Sequence, residues 1–316
     1  MPEAARLDAP GLVLSALGLG CAMYGVSEGP IQGWTSITVL AAIVVGLVLL
    51  TALVLVELGR NDPLIDLRLF GNRLFRACTS LYAFGSVAYL GALYLAALLF
   101  QDALGLSAIQ AGLTSFPAAL GSMAGAQIVT RILYAQYGPR RVTAAGLITV
   151  AATLILMATV TTVTSLWLVR LMMFGLGLGI SLVFIPSQAA SMATIDRSQT
   201  SRASSIFNAG KQLGGAIGVA LLTTILATGS TQHGARRTIP DITAFHHAFL
   251  AAAAVAIVTL GAALTIQDAD AAATMTRRSG RATPQTDESA TQPAPIAVGS
   301  RAARTGRSSN PTRSSG

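Results

Sequence analysis

A chain of 316 residues that is 53% hydrophobic and only 11% charged, with a mean hydropathy of +0.63, lies outside the range of ordinary soluble domains, so a lipid bilayer is the first solvent to consider. The net charge is +8, but all but one of the 21 basic residues are arginine and no face interleaves them with aromatics, which counts against nucleic-acid binding and points to membrane topology. Cys21 and Cys78 sit in apolar runs without metal-ligand spacing, and neither a metal nor a cofactor is expected.

A helix rises about 1.5 Å per residue, so roughly 20 apolar residues clear a hydrocarbon core of about 30 Å. Eight stretches meet that need: 10–27, 36–56, 77–99, 109–131, 142–163, 166–189, 203–227 and 245–266. The predicted class is an all-α integral membrane protein with about eight transmembrane helices. The first stretch follows a flank with one base and two acids, and LGLGC lacks a small-residue cleavage pattern, so it reads as a retained span rather than a signal peptide. The second, ITVLAAIVVGLVLLTALVLV, is bulky and almost free of hydrogen-bonding groups, which suits a peripheral helix facing lipid.

The connectors alternate in charge. Loops 28–35, 100–108 and 164–165 hold no Lys or Arg; 57–76 holds Arg60, Arg68, Arg73 and Arg76, 131–141 holds Arg131, Arg140 and Arg141, and 190–202 holds Arg197 and Arg202. The positive-inside rule places the basic loops in the cytoplasm and, with an even number of spans, both termini as well; Arg236 and Arg237 run against it. The tail 268–316, with its Arg scattered among Ser, Thr, Pro, Gly and Ala, is too polar to order itself.

Polarity is uneven among the later spans. Segment 109–131 carries Gln110, Ser115, Pro117, Ser122 and Gln127; segment 166–189 carries Arg170, the run GLGLG at 175–179, Pro186 and Gln188. Pro186 is expected either to kink its helix and free a carbonyl near Gln188 or to bend it for packing alone. Arg170 lies about a turn inside the boundary, where snorkelling is cheap, and His246 and His247 mark an interface.

The seventh span, SSIFNAGKQLGGAIGVALLTTIL at 204–226, is the most informative. Gly210, Gly214 and Gly218 form a small-residue ridge that lets another helix backbone come close. At about 100° per residue, Asn208, Lys211 and Gly215 fall beside that ridge, so the polar groups are expected to point toward the protein interior. Lys211 lies roughly 13 Å along the helix from Arg202. An ionised amine near mid-bilayer costs at least about 2.5–3.5 kcal/mol, which a cavity-lining or gating role would justify. The alternatives are that its stem snorkels to the inner interface, or that the amine pairs with a carbonyl and has no further role. Asn208, Lys211, Gln212, Gln188 and Gln127 are the candidate transport-cavity residues. No Gly-rich phosphate loop, zinc-spaced His pair or acid pair occurs, so an enzyme is not expected.

A resemblance then emerges. Trp34, Glu57, Arg60 and PLIDLRLFGNRLF at 63–75, LGLSAIQAGLTSFPAALG at 104–121, YGPRR at 137–141 and the 204–226 stretch resemble the C-terminal part of a fourteen-span major facilitator superfamily transporter, of the EmrB/QacA-like drug/proton antiporter branch. The resemblance implies that residues 1–60 hold a cytoplasmic start and two linker transmembrane helices, 61–267 the six-helix C-terminal half, and 268–316 a cytoplasmic tail. YGPRR resembles the second-half copy of the cytoplasmic gating loop, with Gly138, Arg140 and Arg141 on matching positions; Ala135 and Gln136 stand where an acidic and a basic residue are usual.

What the resemblance implies is a cell-membrane exporter of drugs or other small molecules, coupled to protons, whose two halves rock around a substrate near the bilayer midplane. The implied partners are the bilayer, the substrate, protons, and a separate N-terminal half or second copy. The six spans of a first half and their acidic residues are absent from this sequence, and no Asp or Glu lies in the interior of the eight spans. A truncated, transport-inactive membrane fragment or scaffold is the rival reading.

Overall fold

The structure, a computed structural model, describes residues 9–58, 67–192, 195, 199–228 and 242–264. Among them are eight long helices: α1 Ala9–Gln32, α2 Ile37–Leu58, α3 Arg73–Leu98, α4 Ala108–Ile128, α5 Tyr134–Met157, α6 Leu166–Met192, α7 Thr200–Thr228 and α8 Ile242–Ala263. A 3₁₀ turn at Leu67–Gly71 precedes α3, and single π turns carry α3 on to Ala103 and α4 on to Leu133. Six helices, α2, α3 and α5 to α8, are long and apolar enough to cross a membrane; α1 and α4, richer in Gly, Ser and Gln, are not among the six. The termini before residue 9 and after 264, with Arg60, Arg197, Arg236 and Arg237, lie outside the described residues.

Local chemistry sets the helix ends. Asn72 Oδ1 accepts from the backbone N–H of Leu74 (2.9 Å) and Phe75 (3.2 Å), starting α3. Ser107 and Gln110 form a reciprocal capping box at the start of α4, so Gln110, counted among the polar groups of that span, is consumed in starting it. The connector expected between the spans ending at 131 and starting at 142 shrinks to a single kink at Gly138, whose φ of 76° and ψ of 166° only glycine adopts readily. Pro139 follows, its fixed φ suited to a first helical position. The fifth helix ends at Met157 rather than near 163, because hydroxyls beyond it bond locally: Thr159 Oγ1 donates to the Leu156 carbonyl (2.7 Å) and Thr161 N–H to Thr164 Oγ1 (2.8 Å). Helix α6 runs unbroken through Pro186.

The later six helices pack in two layers. A row in the order α4, α6, α3, α7 forms one layer, and α5 and α8 lie behind it, α5 against α6 and α8, α8 against α3, α5 and α7. The pattern is preserved when α3–α4–α5 is exchanged with α6–α7–α8: α3 on α7 becomes α6 on α4, and α3 on α8 becomes α6 on α5. The two triplets thus repeat one packing pattern within the bundle.

The core fills the space between the layers. Helix α8 buries Phe245, Ala248, Phe249, Ala252, Ala253 and Ala256, a stripe at helical spacing, against Leu95, Leu99, Leu154, Met157 and Met173 of the other helices. Helices α1 and α2 form a separate antiparallel hairpin whose close approach is permitted by Gly18, Gly25 and Gly46; its main attachment to the bundle is α1 along α7. Only 17% of the apolar window of α2 is buried, so α2 is as peripheral as its composition suggests.

Candidate functional site

Two glycine-packed pairs hold the front row together. On α7, a Cβ at Gly214 would strike the Ala83 carbonyl of α3, and one at Gly218 the Val87 carbonyl; Gly91 of α3 reciprocates against Gly218. Gly210 is different, with nothing nearer than Ala83 Cβ at 3.8 Å, so the close contact begins one turn later than the ridge begins. The α4–α6 pair is built the same way by residues not foreseen: a Cβ at Gly121 would strike the Phe174 carbonyl, one at Gly177 the Ala118 carbonyl, and one at Gly125 would lie 2.9 Å from Ser181 Cβ. Spacing by four in GSMAG was the available signal. Beside it Ser181 Oγ donates to the Ser122 carbonyl (2.8 Å) and lies 3.1 Å from Ser122 Oγ, a polar clasp between the same helices.

These contacts set the register of the polar residues. Tyr82 of α3 stacks at 4.2 Å on Phe184 of α6, while Gly214 and Gly218 align α7 with α3. Lys211 and Gln188 therefore share a level within about a turn, and Asn208, Gln212 and Gln127 fall within roughly 10 Å of them along the bundle axis. Laterally they are not one cluster. Helices α4 and α7 are the two ends of the row, so Gln127 is separated from the α7 trio by α6 and α3.

None of the five candidates lies in the core of this chain. Asn208, Gln212, Gln188 and Gln127 are all exposed and Lys211 is partly buried, whereas Gly214 and Gly215 are buried. The reason is packing: the ridge side of α7 is taken by α3 and Leu90 occupies Gly215, which turns the polar sector to the uncovered face of the row. No side-chain hydrogen bond or ion pair among the described residues engages Lys211 Nζ or these four amides. The pairing of Lys211 with a carbonyl is thus not what the structure has.

The kink residues lie at the end of the bundle. Gly138 is buried, Arg140 half-buried and Arg141 exposed. Arg140 and Arg141 line a cleft of about 360 Å³ with Ala144 and Leu264. Arg141 also borders a second cleft of about 270 Å³ with Tyr137, Val142 and Leu182. At the far end, the Arg170 guanidinium lies 4.8 Å over the ring of Trp167, and His246 Nε2 bonds the Val160 carbonyl (2.8 Å), pinning α8 to the turn after α5. His246 thus has a packing partner within the bundle. Among the described residues no cluster of three His, Cys, Asp or Glu could hold a metal ion.

Comparison with known proteins gives a consistent picture. The chain matches the Major Facilitator Superfamily over residues 2–219 and 81–304. It is 30% identical over 251 residues, 78% of this chain and 47% of the relative, to the uncharacterized MFS-type transporter YhcA of Bacillus subtilis. It is 30% identical over 224 residues to the lincomycin resistance protein LmrB of Listeria monocytogenes, covering 71% of this chain and 47% of the relative. With the multidrug export protein EmrB of Haemophilus influenzae it shares 34% identity over 223 residues, 69% of this chain and 43% of the relative. The chain spans about half the length of these curated relatives.

Proposed function

Because this multi-pass membrane chain belongs to the major facilitator superfamily, we propose that it supplies the linker pair and C-terminal half of a proton-coupled exporter of drugs or other small molecules. It works in the cell membrane by alternating access, with both termini cytoplasmic. The observation that carries this reading is the uncovered polar face: four amides and one amine, whose side chains have no bonding partner among the described residues, stand on the open side of a four-helix row. Against lipid such a face would be costly, since each unpaired group loses water without gaining a partner. Against a second half across a wet cleft it is a substrate-contacting wall.

The geometry suits rocking of rigid units. Glycine contact locks α3 to α7 and α4 to α6, so the front row turns as one body. Gln188 and Lys211, at one level, offer a donor-acceptor amide and a cation to a substrate. The Gly138 kink, with Arg140 and Arg141 beside it, closes the cytoplasmic end against the facing half. Carboxylates for proton transfer come from that half. The names of the relatives, lincomycin resistance and multidrug export, support the substrate class.

Lys211→Ala in the complete transporter tests the reading. Efflux of fluorescent cations falls while membrane expression is unchanged; equal efflux removes Lys211 from the mechanism. Expression of this chain with and without a six-span N-terminal half separates exporter from inert scaffold. Efflux only in the pair supports the exporter, and none in either supports the scaffold.

A further inference from the structure

The hairpin of α1 and α2 could be a loose tether between two halves. Its geometry says otherwise. The turn between the two helices is Gly33 to Ser36, and it presents Trp34 back toward the bundle. The indole Nε1–H donates to Thr224 Oγ1 of α7 at 3.1 Å, across 190 residues of sequence. Thr224 is set up to accept: its own hydroxyl proton goes to the Ala220 carbonyl at 2.7 Å, leaving lone pairs free for the indole. Gly29 makes the room, because a Cβ there would lie 2.6–2.8 Å from three ring carbons of Trp34. An interfacial tryptophan ordinarily directs its N–H to headgroups or water; here it is spent on a helix of the bundle.

Few other attachments compete. Apart from the α1–α7 seam, the main contact of the hairpin among the described residues is a small one of α2 with the turn Leu67–Gly71. We propose that Trp34 is a latch: together with Gly29 and Thr224 it docks the α1–α2 hairpin on the end of α7, so that hairpin and C-terminal bundle move as one body. Trp34 is a positioning residue, and the assignment holds whatever the chain transports.

The test uses the full chain in lipid nanodiscs. Spin labels are placed at two lipid-facing positions, Val48 on α2 (60% exposed) and Val258 on α8 (74% exposed), after Cys21→Ala; Cys78 is wholly buried and stays. Pulsed electron-electron resonance should give one narrow distance distribution. Thr224→Val removes only the acceptor, and Trp34→Phe removes the donor while keeping a ring over Gly29. Each should raise the undocked fraction about fivefold, the change that one net hydrogen bond makes. Gly29→Ala, which evicts the ring, should do so independently of the α7 side. A broad distribution in the parent chain, or a narrow one unchanged by Thr224→Val and Trp34→Phe, overturns the latch.

Discussion

The sharpest test of the packing compares two glycines on one ridge. At Gly218 an added Cβ strikes the Val87 carbonyl oxygen and sits 2.9 Å from both Val87 C and Val87 Cα, all backbone atoms that cannot rotate away. Helix α7 would have to retreat by roughly 0.5–1 Å, which forfeits a quarter to a half of the dispersion attraction for each atom pair along the seam. The overpacking cost is about 1–3 kcal/mol. At Gly210 the same Cβ meets only Ala83 Cβ at 3.8 Å, an ordinary contact. There the gain in helix propensity prevails, about 0.5–1 kcal/mol. Gly218→Ala should therefore lower the apparent Tm of the detergent-solubilised chain, by roughly 2–4 °C per kcal/mol at this size, and Gly210→Ala should leave it level or raise it. The readout is size-exclusion elution after heating. If both variants lose stability equally, or Gly218→Ala loses none, the backbone contact between α3 and α7 is not what holds this pair.

Other outcomes follow from the same geometry. Gly138→Ala forces a side chain onto a φ of 76° and should cost about 1–3 kcal/mol, seen as a lower Tm and new protease cleavage near 134–141. Ser181→Ala loses the bond to the Ser122 carbonyl but opens no clash, so its effect should stay near 0.6 kcal/mol; Ser181→Val, crowding Gly125, should cost more. Lys211 is the chain's single lysine, so a water-soluble amine reagent reads that position alone apart from the N-terminus. Labelling of the chain in native membranes should fall to the N-terminal level in Lys211→Arg; labelling of Lys211 only in detergent would show the amine bathed in lipid and refute the wet cleft. His246→Ala should loosen α8 from Val160, with faster amide exchange at 158–165 as the measure.

Much of the molecule was legible before any coordinates. Helix existence depends on apolar run length against bilayer thickness, a local and one-dimensional quantity, so all eight segments read from the chain recur as helices, with ends shifted by up to eight residues in the fifth. The exposure of α2 was likewise legible, because a helix rich in Val, Leu and Ile with almost no hydrogen-bonding side chains suits the periphery. Direction was not. Sequence places Lys211 beside a glycine ridge, but which sector of α7 is covered depends on where α3 docks, and that docking turned the polar sector outward to the open face of the row. Two meanings were also hidden in plain residues. Gln110 counted as polarity within a span and is a cap, since capping depends on where the helix begins. Trp34 and Thr224, 190 residues apart, become partners only when α1 lies along α7. Run length and composition determined that this chain lives in a membrane as helices; only the tertiary structure decided which faces meet, because contact between helices is set by backbone approach distances summed over many residues and not by any one of them.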